Sequence, residues 1–145
     1  MVGRNKRYAL ADTAQQVVGG FLLAGPFVVT EEVWVLASEM SWLHVLTTVS
    51  IVFAIGYGAL YKADAGRDPE REAEVGGVPI RFISLMVVAF GSVLVLALAL
   101  KAPRTFADAI GVPETPLSVT ILALKASSVG AIFSVVGAAT ADSVF

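Results

Sequence analysis

Two adjacent glutamates, Glu31 and Glu32, lie inside the first long apolar run of the chain. If this run is a single helix, they lie about seven residues from its outer end, roughly 10 Å below that end at 1.5 Å per residue. A carboxylate near the centre of a bilayer costs about 2.5–3.5 kcal/mol, and less toward the edge. Adjacent helical residues point about 100° apart, so the two acids cannot share one partner. We therefore expect at least one of them to face a protein interior or a water-filled cavity.

Other oxygen-bearing groups lie near these acids. Pro26 removes one helical hydrogen bond and kinks the helix, which frees a carbonyl one turn earlier. Gly25 precedes Glu32 by seven residues and Glu39 follows it by seven, so on one continuous helix the three lie along one face as a narrow acidic track. Thr30 either contributes a hydroxyl or bonds back to its own helix. Hard cations take oxygen ligands. The pattern predicts a cation pathway that includes Glu31, Thr30 and Glu39, with Glu32 as the cation ligand.

A further charge, Lys125, lies in the last apolar run at a depth similar to that of the two glutamates. An ion pair with one glutamate costs less than either charge alone and fixes the helix register, so we expect such a pair. Snorkelling to the outer interface and a role in ion passage are the alternatives. One lysine neutralises one carboxylate. The carboxyl group of the second glutamate is then either protonated because it is buried or lines a pore, and the pore is the favoured interpretation.

The elements that must position these charges are four long apolar runs. The 145 residues are 57% hydrophobic and 15% charged, whereas a soluble domain has about 25% charged residues. Each run is long enough to cross about 30 Å of hydrocarbon as a helix, and none alternates as a membrane strand would. The sequence predicts an all-α integral membrane bundle of four transmembrane helices, at about 15–38, 42–61, 78–100 and 117–141.

The distribution of lysine and arginine predicts the orientation of the bundle. Most basic residues near the predicted helix ends lie in the N-terminal segment and in the link 62–77, although Lys101 and Arg104 lie on the opposite side. Because cytoplasmic segments are enriched in these residues, we expect both termini and the link to be cytoplasmic in a multi-pass protein of the cell membrane. The charged link 62–77 offers a surface for a cytoplasmic partner.

Small residues predict how the helices meet. Lipid gives little hydrophobic reason for helices to associate, so close packing through small side chains has to do so. The second run offers Ser50, Ala54 and Gly58, and the fourth offers Ser127, Gly130, Ser134 and Gly137. A bundle of four short helices encloses few side chains, so we expect a homo-oligomer.

Several classes of function are disfavoured by composition. There is no cysteine, the single histidine is His44, and no nucleotide-binding glycine loop or catalytic arrangement is present, so we expect neither an enzyme nor a cofactor other than a bound cation. A net charge of -2 and a pI near 5.3 argue against nucleic acid as a partner.

Two further charged residues lie near the predicted cytoplasmic ends of the last two spans. Arg81 is expected to snorkel to the lipid headgroups, and Asp142 is expected to pair with Arg81 or Arg7.

The stretch from Gly19 to Ala37 resembles the first helix of a family of integral membrane proteins of unknown function. The pattern of that helix is proline, three residues, threonine, one residue, glutamate, one residue and tryptophan, which here falls on Pro26, Thr30, Glu32 and Trp34. The last run is similar to the closing helix of the family at Ser128, Gly130 and Ala131. Glu31 and Lys125 depart from the family pattern. The resemblance implies a membrane fold and singles out Glu32, without implying an activity.

Two functions compete. The first is a small oligomeric channel or transport protein that passes cations through an acidic ring from the first helix. The alternative is a non-transporting scaffold or accessory subunit, in which the intramembrane charges only pair helices.

Overall fold

A computed structural model describes residues 9–63 and 66–144, and these residues are mostly helical. The α-helices in this part of the chain are α1 (Leu10–Val28), α2 (Glu31–Glu39), α3 (Trp42–Tyr57), α4 (Ile80–Ala99), α5 (Ala102–Ile110) and α6 (Pro116–Val144). A π-helical turn, Gly58–Lys62, continues α3, and a 3-10 turn, Pro69–Arg71, follows it.

A small hairpin closes the charged link before α4. Its strands are β1 (Glu74–Val75) and β2 (Val78–Pro79), paired antiparallel with Val75 opposite Val78. Gly76 and Gly77 form the two-residue turn with φ of 60° and 85°. Positive φ at both turn positions suits the right-handed twist of a hairpin and favours glycine there. The link therefore reaches α4 through a defined turn.

The central element of the bundle is α6, which packs against α1, α2, α3, α4 and α5. Its small residues let neighbouring backbones approach closely. A Cβ atom added to Gly19 of α1 would collide with the carbonyl oxygen of Gly137 on α6, and the reverse substitution would meet the Gly19 carbonyl. Further along α6, a Cβ on Gly130 would lie 2.8 Å from Val93 of α4. The helices α1, α4 and α6 therefore form a tightly closed centre.

Length and composition make three helical segments of the described chain able to cross a membrane: α3 with its π-helical turn, α4 and α6. The number is four if α1 and α2 are counted as one bent span. The first apolar run, predicted as one helix over 15–38, is thus two helices whose axes differ by 82°. The expectation of a membrane protein built from apolar helices agrees with this architecture.

The break between α1 and α2 has a local cause. Pro26 lies in the last turn of α1 and lacks an N–H, which weakens the helix there. Thr30 has extended backbone, and its hydroxyl donates to the Pro26 carbonyl, which satisfies an acceptor at the helix end. The indole of Trp34 donates to the Val28 carbonyl at 2.8 Å. Glu31 and Glu32 then occupy the first turn of α2, where the helix dipole favours negative charge.

Charged residues form two layers separated by apolar helix. Sixteen residue steps separate Asp12 from Val28 on α1 and Arg81 from Ala97 on α4, which is about 24 Å at 1.5 Å per step. We call the layer containing Asp12, Glu72, Arg81 and Asp142 the arginine end. We call the layer containing α2, α5 and Lys125 the lysine end. Their separation is close to the thickness of a bilayer core, about 30 Å.

Candidate functional site

The two glutamates of the first apolar run lie at the lysine end and are exposed on the surface of the bundle. Within residues 9–63 and 66–144, neither Glu31 nor Glu32 forms an ion pair. Because the chain turns after Val28, these acids lie near the end of α1 and not about 10 Å inside a continuous helix. The depth of about 10 Å, which assumed one continuous helix, therefore does not apply to them.

The predicted acidic track along one helical face is not formed. It required Gly25, Glu32 and Glu39 to follow one helix, but Gly25 belongs to α1 and the two acids belong to α2. The bend of 82° between the two axes takes Gly25 off the face that Glu32 and Glu39 still share on α2. The Thr30 hydroxyl donates to the Pro26 carbonyl of its own chain, which was the second of the two alternatives for this residue.

Lys125 binds the other end of α2. Its ammonium donates to the backbone carbonyl of Met40 at 2.6 Å and lies 5.1 Å from the centre of the Trp42 ring. Met40 follows the last residue of α2, where free carbonyls and the helix dipole favour a cation. In the part of the chain that the structure describes, the expected ion pair between Lys125 and a glutamate is absent. The lysine instead joins α6 to the α2–α3 connection.

The two short helices of the lysine end also contact each other. The rings of Trp34 on α2 and Phe106 on α5 stack with centroids 5.4 Å apart. Trp34 is buried, whereas Glu31, Glu32 and Glu39 on the same helix are exposed. α2 therefore buries its apolar face against α5 and α6 and leaves its acids outside.

The small residues singled out on α6 lie at contacts between helices of the same chain. The Ser134 hydroxyl donates to the Gly20 carbonyl at 3.1 Å and lies 2.8 Å from the Ser92 hydroxyl, which links α1, α4 and α6. Ser127 is buried, and its hydroxyl has no hydrogen-bond partner among the described residues. By contrast, Ser50 and Ala54 on α3 point away from the bundle and are exposed.

The strongest electrostatic feature of the molecule is a buried arginine that the sequence analysis assigned to the interface. The guanidinium of Arg81 is 5% exposed and contacts three carboxylates. It lies 2.6 Å from Asp142, 2.7 Å from Glu72 and 3.2 Å from Asp12. These acids come from α6, from the link before α4 and from α1, so one side chain ties four segments of the chain together.

A second layer of hydrogen bonds holds the carboxylates around Arg81. Gln16, itself fully buried, donates to Asp142 at 3.0 Å, and it accepts from Ser84 at 2.6 Å. Tyr61 donates to Glu72 at 2.6 Å, and Arg67 lies 4.0 Å from the same carboxylate. A buried charge is tolerated when its remaining donors and acceptors are satisfied in this way. The network is suited to fixing the helix ends in one arrangement.

Sequence reasoning found only part of this cluster. Pairing of Asp142 with Arg81 was one of its alternatives, and the structure contains that pair. Asp12 lay before the predicted start of the first span, and Glu72 lay in a link treated as solvated. The available signal was an arginine at the start of one apolar run and an aspartate at the end of another, on segments predicted to share one membrane side.

These features define a multi-pass integral membrane protein, with apolar helices between two polar layers and no large extramembrane domain in the described residues. A sequence model described as "Putative integral membrane protein (DUF2391)" matches residues 3–140, so the chain belongs to this family. The family resemblance drawn from the sequence is confirmed, while its individual motif positions stay a prediction. No curated protein and no solved structure matches the chain.

Proposed function

We propose that this chain is a non-conducting scaffold or accessory subunit of a membrane assembly, in which the buried charges hold its own helices in place. The observation that carries the proposal is the backbone contact between Gly19 of α1 and Gly137 of α6. A water-filled path through the centre of one subunit would have to pass between helices whose backbones already touch. The Arg81 cluster supports the same function, because its charged groups form ion pairs with one another within the chain.

The outer surface supports a passive role in lipid. Large side chains exposed on the helices between the two ends are apolar, among them Val18, Leu22, Leu46, Phe53, Val87, Val95 and Phe133. Such a surface suits acyl chains or an apolar helix of a partner, and within 9–63 and 66–144 it offers no charged groups to a passing ion. The link 62–77 is the proposed contact for a partner on the cytoplasmic side.

A second candidate, cation passage between subunits of a homo-oligomer, is favoured by one observation. Glu31 and Glu32 are exposed and form no ion pair in the described residues, so neighbouring copies could bring them together as an acidic ring. In this hypothesis the path lies between subunits, and a closed subunit centre does not oppose it. Glu32 would then bind the cation, with Glu31 and Glu39 nearby.

Flux measurements separate these two functions. The purified protein is reconstituted in liposomes, and entry of K⁺ and of Ca²⁺ is recorded against protein-free liposomes. If the chain is a scaffold, we expect no protein-dependent flux. The native mass of the purified protein is measured in parallel and shows whether the chain self-associates. Flux that falls in Glu32→Gln and persists in Glu70→Gln, an exposed acid of the opposite end, would establish the second candidate and overturn the first.

The proposed topology has its own test. The sequence contains no cysteine, so a single introduced cysteine gives an unambiguous label. With both termini cytoplasmic, Asp68→Cys is labelled by a membrane-impermeant maleimide only after cell lysis, and Glu114→Cys is labelled in intact cells. The reverse result would invert the orientation without changing the fold.

A further inference from the structure

An open cavity of about 180 Å³ lies at the lysine end, between α2, the α5–α6 connection and α6. Its lining consists of one lysine, two serines and three aliphatic residues: Lys125, Ser38, Ser118, Val112, Ile121 and Leu122. The lining includes a cation and no carboxylate. Such a mixture is typical of a site for a ligand with one acidic group and an apolar body.

The ammonium of Lys125, a residue that lines this cavity, retains hydrogen-bonding capacity. A lysine ammonium has three N–H donors, and Lys125 uses one of them on the Met40 carbonyl. Lys125 forms no ion pair with any residue in 9–63 or 66–144. The charge is partly buried and lies close to an apolar wall, where the attraction of an anion is stronger than in bulk water. An acidic group at this position would receive a charge-assisted hydrogen bond.

The apolar wall continues beyond the cavity along α6. Ile121 lines the cavity, and Leu117 and Leu124 lie four residues before it and three residues after it, on the same helical face. Leu117 is 70% exposed and Leu124 is 49% exposed. A hydrocarbon chain that leaves the cavity beside Ile121 therefore has further apolar surface to cover.

We propose that this cavity binds an acidic amphiphile, a single acyl chain with a carboxylate or phosphate head. The head contacts the Lys125 ammonium, and the chain lies against Ile121 and its neighbours on α6. The cavity is at one of the two polar layers of the bundle, which is the depth at which the head groups of membrane amphiphiles reside. This inference is independent of the proposed function, because it requires neither conduction nor a protein partner.

Photo-crosslinking tests the proposal on the full-length chain. The protein is placed in nanodiscs of zwitterionic phosphatidylcholine and exposed to dodecanoate carrying a diazirine, and the labelled peptides are mapped. We expect labelling within residues 112–125, with competition by unlabelled dodecanoate or dodecyl phosphate. The stronger of these two competitors identifies the head group. Equal competition by dodecanol would overturn the proposal, as would equal competition by inorganic phosphate.

Two variants and one control sharpen the result. Lys125→Met keeps the length of the side chain and should weaken dodecanoate binding about tenfold, the size expected for one hydrogen bond to a charged group. Ile121→Trp fills the cavity and should abolish labelling. This variant keeps Lys125, so it tests the cavity independently if Lys125→Met fails to fold. Lys101→Met removes an exposed cation of the same end and should leave labelling unchanged. Wild-type labelling in either cavity variant would overturn the proposal.

Discussion

The two ends of the bundle hold their charges in opposite ways. At the arginine end, Arg81 is surrounded by three carboxylates, and its partners are themselves hydrogen-bonded. At the lysine end, Lys125 meets a backbone carbonyl and an aromatic face, while Glu31 and Glu32 remain outside the bundle. An ionisable residue in an apolar run is therefore not by itself evidence of a pathway. Its partners decide whether it fixes the fold or remains available to a ligand.

The largest expected effect is at the arginine end. Arg81→Met leaves the buried carboxylate of Asp142 without its cation, and losing one partner of a buried ion pair typically costs about 3–5 kcal/mol. We expect a clear loss of stability in denaturant-induced unfolding monitored by circular dichroism in mixed micelles. Arg104→Met is the matched control, because Arg104 is 65% exposed and lies 4.0 Å from the half-exposed Glu114. Equal stability of the two variants would show that the arginine end does not hold the helices together.

A smaller effect is expected at the closed centre that separates the two ends. Gly19→Ala places a Cβ against the Gly137 carbonyl, so α1 and α6 must move apart, and overpacking of this kind costs about 1–3 kcal/mol. Gly91→Ala is the control, since a Cβ at that position would meet no atom of a neighbouring helix within 4 Å and alanine favours a helix. In the same unfolding measurement, we expect Gly19→Ala to be less stable than the wild type and Gly91→Ala to be more stable. A stable Gly19→Ala variant would argue against the backbone contact.

The hydroxyl pair in the same centre should contribute less. Ser134→Ala removes the bond to the Gly20 carbonyl and leaves the Ser92 hydroxyl without its neighbour. Hydrogen bonds between membrane helices contribute about 1 kcal/mol, so we expect a loss of that size in the same unfolding measurement. Ser50→Ala provides the comparison, because the Ser50 hydroxyl bonds only within α3, to the Leu46 carbonyl. A larger loss for Ser50→Ala would reverse the assignment of core and surface.

The smallest effect belongs to the glutamates of the lysine end. The double change Glu31→Gln and Glu32→Gln removes two exposed charges that form no described ion pair. Only their interaction with the dipole of α2 is lost, and we expect a change of a few tenths of a kcal/mol in the free energy of unfolding. A loss comparable to that of Arg81→Met would mean that the acids have a buried partner in the assembled protein.

Much of the fold was predictable from the sequence because the bilayer restricts the choice of backbone structure. Long apolar runs must be helical in lipid, and three of the four predicted runs correspond to continuous helical segments able to cross a membrane. The exception is the run containing Pro26 and Thr30. There the sequence indicated a kink, while the size of the bend depended on how Thr30 and Trp34 satisfy the carbonyls at the end of α1.

The candidate site was less predictable, because it depends on which charges meet. Composition and local spacing were enough to predict the apolar helices, the small-residue face of α6 and the membrane-protein family. It took the packing of the helices to bring Asp12, Glu72 and Asp142, which lie far apart along the chain, around Arg81. The same packing places Lys125 at the end of α2 and away from the glutamates of that helix. Charges act through distance and burial, and both are set by the packing of whole helices.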